Sequence, residues 1–134
     1  MTTFGAIGIA STGMTVHRKW LDAVSDNLAN QNTVYSTDEE AYRAKYVVAT
    51  EIGSENGGGV QVAGIALGSA EGRLVYEPTN PLADEDGYVR YPDVDMASQM
   101  TQLIIAQRGY QANAAVVDRA RASYEAALQI GRNA

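Results

Sequence analysis

The chain has 134 residues, 46% of them hydrophobic, and a formal net charge of −6 at pH 7, which is material for one globular domain. It contains no cysteine and one histidine, so disulfides, thiolate metal sites and histidine metal clusters are excluded, and no cofactor is indicated. There is no basic patch to favour nucleic acid, and no apolar run reaches the roughly 20 residues that span a bilayer.

The first predicted element is a helix inside the segment 1–35, where apolar residues repeat at heptad spacing. One heptad position holds Ile7, Met14, Leu21 and Leu28, and the other holds Ala10, His17 and Val24. Three glycines interrupt this pattern, and each costs about 1 kcal/mol of helix stability relative to alanine. We therefore expect the front helix to be marginal until another element packs on it.

Asparagines follow where the front heptads end. Asn27 and Asn30 lie one helical turn apart, and Asn32 comes just after them. Amide side chains both donate and accept hydrogen bonds, so these residues either end a frayed helix or fix the register between neighbouring subunits. His17 lies within the same heptad pattern, where we expect a satisfied interface histidine rather than a catalyst or proton switch.

The segment 36–92 is predicted to be a small β-rich region. Its tyrosines and β-branched residues predict four strands, at 42–52, 60–67, 73–77 and 87–91. Together they would form one small sheet with a thin core, which is marginal on its own. The glycine-rich stretch 53–59 is long enough for an open hairpin connection.

Acidic side chains concentrate in this middle part of the chain. Residues 36–93 hold eleven acidic residues against four basic ones, whereas the two terminal segments are close to neutral. Asp84 and Asp86 favour an acidic turn over a calcium loop, because a bidentate glutamate at the required distance is missing. The carboxylates at 38–40 favour a solvated loop over a catalytic pair, since no base partner or apolar pocket is evident nearby.

The last predicted element is a long helix in the segment 93–134, which Asp93 or Asp95 caps at its start. Its heptad positions hold Met96, Met100, Leu103, Gln107, Tyr110, Ala114, Val117, Arg121, Tyr124, Leu128 and Gly131. Such a helix would be on the order of 50 Å long, too long for a small domain to bury. The predicted fold class is therefore α+β, with two long terminal helices forming a coiled coil around a β-rich segment.

Two amide-rich motifs carry a resemblance to a known family. The stretches 27–33 (NLANQNT) and 107–113 (QRGYQAN) resemble the paired terminal signatures of bacterial flagellar axial proteins, the rod, hook and hook-associated subunits. Three central stretches, at 42–45, 75–84 and 86–94, are most similar to a member of the proximal rod. The resemblance covers nearly the whole chain, with the departure that Gly109 stands where the family often has alanine or another small or polar residue.

The resemblance implies a non-enzymatic structural subunit of the proximal rod, a drive shaft that transmits torque and encloses the export channel. Implied partners are copies of the chain itself, other rod proteins, the adaptor that joins rod to ring, and the flagellar type III export apparatus. Location in the periplasmic part of the basal body is implied, after export without cleavage, which agrees with the absence of a positive charge before the apolar residues 4–10.

The predicted subunit interface draws on both helices and on the amide motifs. It comprises Ile7, Met14, Leu21, Val24, Asn27, Leu28, Asn30 and Asn32 in front, and Met100, Leu103, Gln107, Tyr110, Gln111, Asn113, Val117, Tyr124 and Leu128 behind. Two alternatives remain open at this point. A different axial subunit is the nearer one, and a small cytoplasmic enzyme that uses its acidic turns is the other.

Overall fold

The computed structural model describes residues 3–133, with side chains from Phe4 to Arg132. Two long helices, α1 (Thr3–Asn30) and α2 (Met96–Asn133), enclose the β-rich segment in chain order. The strands are β1 (Lys45–Glu51), β2 (Val60–Leu67), β3 (Arg73–Tyr76) and β4 (Tyr88–Tyr91), with a short 3-10 turn at Ser54–Asn56. The predicted α+β class with long terminal helices is confirmed.

The helices α1 and α2 pack against each other in antiparallel orientation. The end of α1 meets the start of α2, where Asn27 Nδ2 lies 3.0 Å from Gln99 Oε1, and the far ends meet where the Phe4 and Tyr124 rings are 5.3 Å apart. Because α2 has 38 residues and α1 has 28, α2 continues past its partner. Every α2 side chain from residue 121 to residue 132 is exposed as a result.

The start of α2 follows from its capping residue. The Asp95 carboxylate accepts a hydrogen bond from the Ser98 backbone N–H at 2.8 Å, which satisfies one of the free amides of the first turn. Pro92 lies just before and is fully buried, so the chain enters the helix from a fixed point. The prediction that an aspartate in this stretch caps the helix is confirmed for Asp95.

The strands form two separate antiparallel ribbons, and the expectation of a single sheet is wrong. In the first ribbon Lys45 pairs with Leu67 and Glu51 with Val60, with a bulge after Val48. In the second ribbon β3 pairs only with β4, and the outer edge of β4 bridges to Tyr35. The four strands nevertheless begin and end within three residues of their predicted bounds.

Gly72 explains why the chain leaves the first ribbon before the second begins. Its φ of 62° is a conformation that glycine adopts without strain. A Cβ at this position would also lie 2.2 Å from the Tyr91 carbonyl oxygen and 2.8 Å from the Ala41 Cβ. The turn at Gly72 therefore carries β3 away from β2 and against the segment around Ala41.

The turn that joins β3 to β4 is closed by Asp84. Its Oδ1 accepts backbone hydrogen bonds from Tyr88 at 2.8 Å and Asp86 at 3.1 Å. These hydrogen bonds, the one from Tyr88 first, lower the pKa of the Asp84 carboxyl below its usual value. The carboxylate of Asp84 thus has a structural role in an acidic turn, as its neighbours in the sequence predicted.

The core is thin and consists mostly of small side chains. The helix α1 is covered by α2 on one side and by the β1–β2 ribbon on another. Buried residues are Ala10, Val16, Ala23, Val24 and Asn27 in α1, Ala41, Ala44, Val89, Pro92 and Val94 in the middle, and Gln99 and Ala106 in α2. Among the described residues, no Cα of β3 or β4 lies within 8 Å of either helix. No described helix is both long and apolar enough to cross a membrane.

Candidate assembly interface

The two helices approach each other most closely where a glycine of α2 faces His17 of α1. An ideal Cβ on Gly109 would lie 2.1 Å from His17 Nε2, a separation that real atoms do not show, so only glycine leaves room for the ring. His17 Nδ1 lies 2.8 Å from the Gly13 carbonyl oxygen of its own helix. Because a carbonyl only accepts, Nδ1 carries the proton, and the ring is oriented with Nε2 towards α2.

The same arrangement recurs with the helices exchanged. Asn113 of α2 donates its Nδ2 hydrogen to the Gly109 carbonyl at 2.8 Å, one turn earlier in its own helix. Its Oδ1 would be 2.7 Å from a Cβ on Gly13. Each helix therefore carries a glycine followed four residues later by a polar side chain that bonds back to that glycine and covers the glycine of the other helix. This reciprocal pair of glycine windows brings the two backbones close together.

Asn27 forms the second fixed point of the helix pair, at the end next to the β-rich segment. Its side chain is fully buried, and its Oδ1 accepts from the Lys45 backbone N–H at 2.8 Å and from the Tyr42 hydroxyl at 3.0 Å. Its Nδ2 donates to the Lys45 carbonyl at 2.9 Å and to Gln99 Oε1 at 3.0 Å. All four hydrogen-bonding sites of the amide are used, so one residue joins α1, α2 and the start of β1.

The surroundings of Asn27 show why its neighbours have shifted pKa values. Burial raises the pKa of the Tyr42 hydroxyl, which keeps it a hydrogen-bond donor to Asn27. Next to it, the hydrogen bond from Asp26 raises the pKa of Lys45. The Lys45–Asp26 ion pair is largely solvated, so it contributes little stability, whereas the buried amide network contributes more.

The structure places the predicted interface residues of α1 along its contact with α2. Val24 and Asn27 are buried, and Asn30 bonds back to the Asp26 carbonyl at 2.9 Å near the helix end. Asn32, just after the helix, is exposed. The remaining four are partly buried: Ile7, Met14, Leu21 and Leu28. The apolar heptads of α1 therefore lie mostly inside the helix pair of a single chain.

The predicted residues of α2 divide between the helix contact and the surface. Those that are partly buried are Leu103, Tyr110, Asn113 and Val117, while the exposed ones are Met100, Gln107, Gln111, Tyr124 and Leu128. Within the chain, α2 faces α1 with Gln99 and Ala106, not with Met100 and Gln107. Half of the contact stripe is thus displaced by one residue from the heptads assigned above, and the exposed half remains available to other molecules.

Outer faces of α2 carry apolar side chains as well. Ile104, Ile105 and Val116 are 48%, 50% and 45% exposed, although they lie in the middle of the helix. A helix that is apolar on several faces is typical of one that is buried on several sides. In a single chain α2 is covered only by α1, so this pattern indicates contacts with further molecules.

A groove of about 600 Å³ lies between α1 and the β1–β2 ribbon. Its floor includes Val16 and Val62, and Lys19, Asp22 and Asp26 lie at its rim. Within residues 4–132 no group of three histidine, aspartate or glutamate side chains is arranged to hold a metal ion. The concave surface of the chain is suited to packing rather than to chemistry.

Sequence reasoning missed the partners that make these contacts specific. Gln99 was not expected in the helix contact, and neither Lys45 nor Tyr42 was connected with Asn27. Trp20 was also unassigned, yet its Nε1 donates to Gln102 Oε1 at 3.3 Å across the two helices. The detectable signal was the repeated spacing of Gly13 with His17 and of Gly109 with Asn113, which marks a close crossing in each helix.

Comparisons with known proteins complete the description of this surface. A family model described as the flagellar basal body rod FlgEFG protein C-terminal region matches residues 85–130, which include most of α2. Over the whole length, the chain is 37% identical to the flagellar basal-body rod protein FlgC of Salmonella typhimurium, covering 98% of this chain and 100% of that one. It is 32% identical to the protein of the same name from Bacillus subtilis, with 98% and 100% coverage.

Proposed function

This chain belongs to the FlgC family of flagellar basal-body rod proteins and is a structural subunit of the basal-body rod, and we propose that it assembles there through its two terminal helices. In this proposal the helices α1 and α2 build the wall of a drive shaft that transmits torque and surrounds the export channel. The role is mechanical rather than enzymatic.

The observation that carries this proposal is the apolar character of α2 outside its contact with α1. Ile104, Ile105 and Val116 together leave a large apolar area in water, which a soluble monomer rarely keeps. Burying that area against neighbouring subunits stabilises the assembly by roughly 25 cal/mol per Å². Assembly thereby offsets the entropy lost when the helices become ordered.

The proposed partners are copies of this chain, neighbouring rod proteins and the adaptor between rod and ring. Delivery is by the flagellar type III export apparatus, with no cleaved signal, to the periplasmic part of the basal body. The near-neutral helices support close packing of many copies, because neutral surfaces do not repel each other strongly.

The test is deletion of the gene in the source bacterium, followed by electron microscopy of isolated basal bodies. We expect rings without a complete rod or hook, restored by the intact chain but not by a chain lacking residues 1–30. Complete rods and hooks in the deletion strain would refute the proposal.

Point variants test whether the helices are the assembling part. Leu28→Asp and Leu103→Asp are expected to abolish assembly while leaving the β-rich segment folded, because each places a charge in the helix contact. Ser25→Asp is the matched control, since Ser25 is exposed on α1 one turn before Leu28. Normal motility of either leucine variant would show that the helix contact is not required.

A further inference from the structure

The β3–β4 ribbon exposes an apolar face that we call the ribbon patch, formed by Leu74, Tyr76 and Tyr88. These side chains are 58%, 63% and 41% exposed, and the two tyrosine rings meet edge to face at 5.4 Å. Tyr76 pairs directly with Tyr88, and Leu74 lies two residues away on the same face. On the opposite face Val89 is fully buried, so the ribbon has one side inside and one aromatic side in water.

Acidic residues lie at both ends of this patch. Glu71 precedes β3 and Glu77 follows it, while Glu85 and Asp86 lie in the turn before β4. Ion pairs among the described side chains join Lys45 with Asp26 and Arg121 with Glu125, so none of these four carboxylates has a cation paired with it. A partner for the patch must therefore offer an apolar surface with positive charges at its margins.

The outer face of α2 has that composition. Arg108, Ala112, Ala115 and Arg119 follow each other at spacings of four, three and four residues, which places them in one line along the helix. All four are exposed, and neither arginine takes part in an ion pair within the described chain. We call this line the arginine–alanine stripe. The exposed Ile104, Ile105 and Val116 flank it.

We propose that the ribbon patch of one subunit docks on the arginine–alanine stripe of a second copy of this chain. The proposal rests on the proposed function as a rod subunit and specifies one contact between copies. The two arginines are about 16 Å apart along the helix, and the carboxylates at the ends of β3 are about 20 Å apart, so both charged pairs meet at once. The alanines between the arginines leave a shallow surface on which the tyrosine rings lie flat.

The two surfaces cannot meet within one chain, because no Cα of β3 or β4 lies within 8 Å of α2. Neither surface fits a copy of itself, since patch against patch brings carboxylates together and stripe against stripe brings arginines together. The contact is therefore heterologous, with different surfaces used on the two copies. A heterologous contact that does not close into a ring adds subunits without limit, which is the geometry of a shaft.

Engineered cysteines test this contact directly, because the natural chain contains none. Tyr88→Cys and Ala112→Cys are introduced into two differently tagged full-length copies, expressed together in the deletion strain, and the basal bodies are oxidised. We expect a disulfide-linked dimer that carries both tags and disappears on reduction. Leu74→Cys with Ala115→Cys is the second pair, in case loss of Tyr88 weakens the ribbon. Tyr88→Cys with Ser25→Cys is the control, since Ser25 is exposed on α1.

Each outcome separates this contact from the wider function. Both tagged copies present in basal bodies without a dimer from either test pair would overturn the docking proposal and leave the rod function standing. A dimer from Tyr88→Cys alone would also overturn it, because the ribbons would then face each other. Absence of the unmodified chain from basal bodies would instead refute the proposed function. Replacing both stripe arginines by glutamate is expected to lose the dimer, whereas Arg18→Glu on α1 is expected to keep it.

Discussion

Replacement of Gly109 by alanine is expected to destabilise the helix pair, although alanine is the better helix former. In an isolated helix the change would stabilise by about 1 kcal/mol. In the folded chain the new Cβ would meet His17 Nε2 at 2.1 Å and Cδ2 at 2.3 Å. The ring cannot move away without giving up its hydrogen bond to the Gly13 carbonyl. The two effects therefore have opposite signs.

The packing cost is the larger effect. Forcing extra atoms into a close contact costs about 1–3 kcal/mol. Loss of the His17 hydrogen bond adds about 0.5–1.5 kcal/mol. After subtraction of the helix-propensity gain, Gly109→Ala is expected to lower the free energy of unfolding by about 1–3 kcal/mol.

Guanidinium unfolding followed by helical circular dichroism measures this change, and a double-mutant cycle assigns its cause. With His17→Ala in the background the obstacle is gone, so Gly109→Ala should become stabilising by about 1 kcal/mol. Gly8→Ala is the matched control on α1, because nothing lies within 4 Å of a Cβ at that position. Its effect should be the same with or without His17.

An unfolding free energy that rises for Gly109→Ala in the presence of His17 would refute the reasoning. It would mean that the helices do not cross closely at these glycines. Equal effects in the two backgrounds would likewise show that His17 is not the obstacle.

Three further expectations concern the ends of the helix pair and the ribbon turn. Asn27→Leu should cost about 2–4 kcal/mol in guanidinium unfolding, because it leaves Gln99 and two backbone groups of Lys45 without their partner. Lys45→Gln should cost less than about 1 kcal/mol in the same assay, since its ion pair with Asp26 is solvated; a larger loss would show that this pair is not screened. The lowered pKa of Asp84 means that its stabilisation of the turn is full above the unfolded pKa and is lost as pH falls through the folded one. Amide exchange at Tyr88 should therefore lose protection in acid, and Asp84→Asn should remove that pH dependence.

Much of the fold could be predicted from short-range pattern. Heptad spacing located both helices, and alternation with turn residues located all four strands within three residues. Asp95 was among the two candidate caps because it precedes the apolar repeat. Each of these features depends on neighbours in the sequence, which is why local chemistry was sufficient.

The features that were missed depend on distant partners. Apolar residues occur on several faces of α2, so periodicity alone did not distinguish a contact through Gln99 and Ala106 from one through Met100 and Gln107. Gln99 is buried only because Asn27, 72 positions away in sequence, satisfies its amide. The assignment of these helices as a subunit interface stays a prediction for the assembly experiments above.

The polar contacts between the helices all lie near one end of the pair. Among the described residues, the hydrogen bonds that cross between α1 and α2 are those of Asn27 with Gln99 and of Trp20 with Gln102. Further along, His17 bonds back to its own helix, and apolar contacts alone continue from there towards Phe4. The pair is thus stiff at its base and compliant at its tips, like the tines of a tuning fork. A subunit built in this way adjusts its tips to inequivalent neighbours while its base keeps its shape.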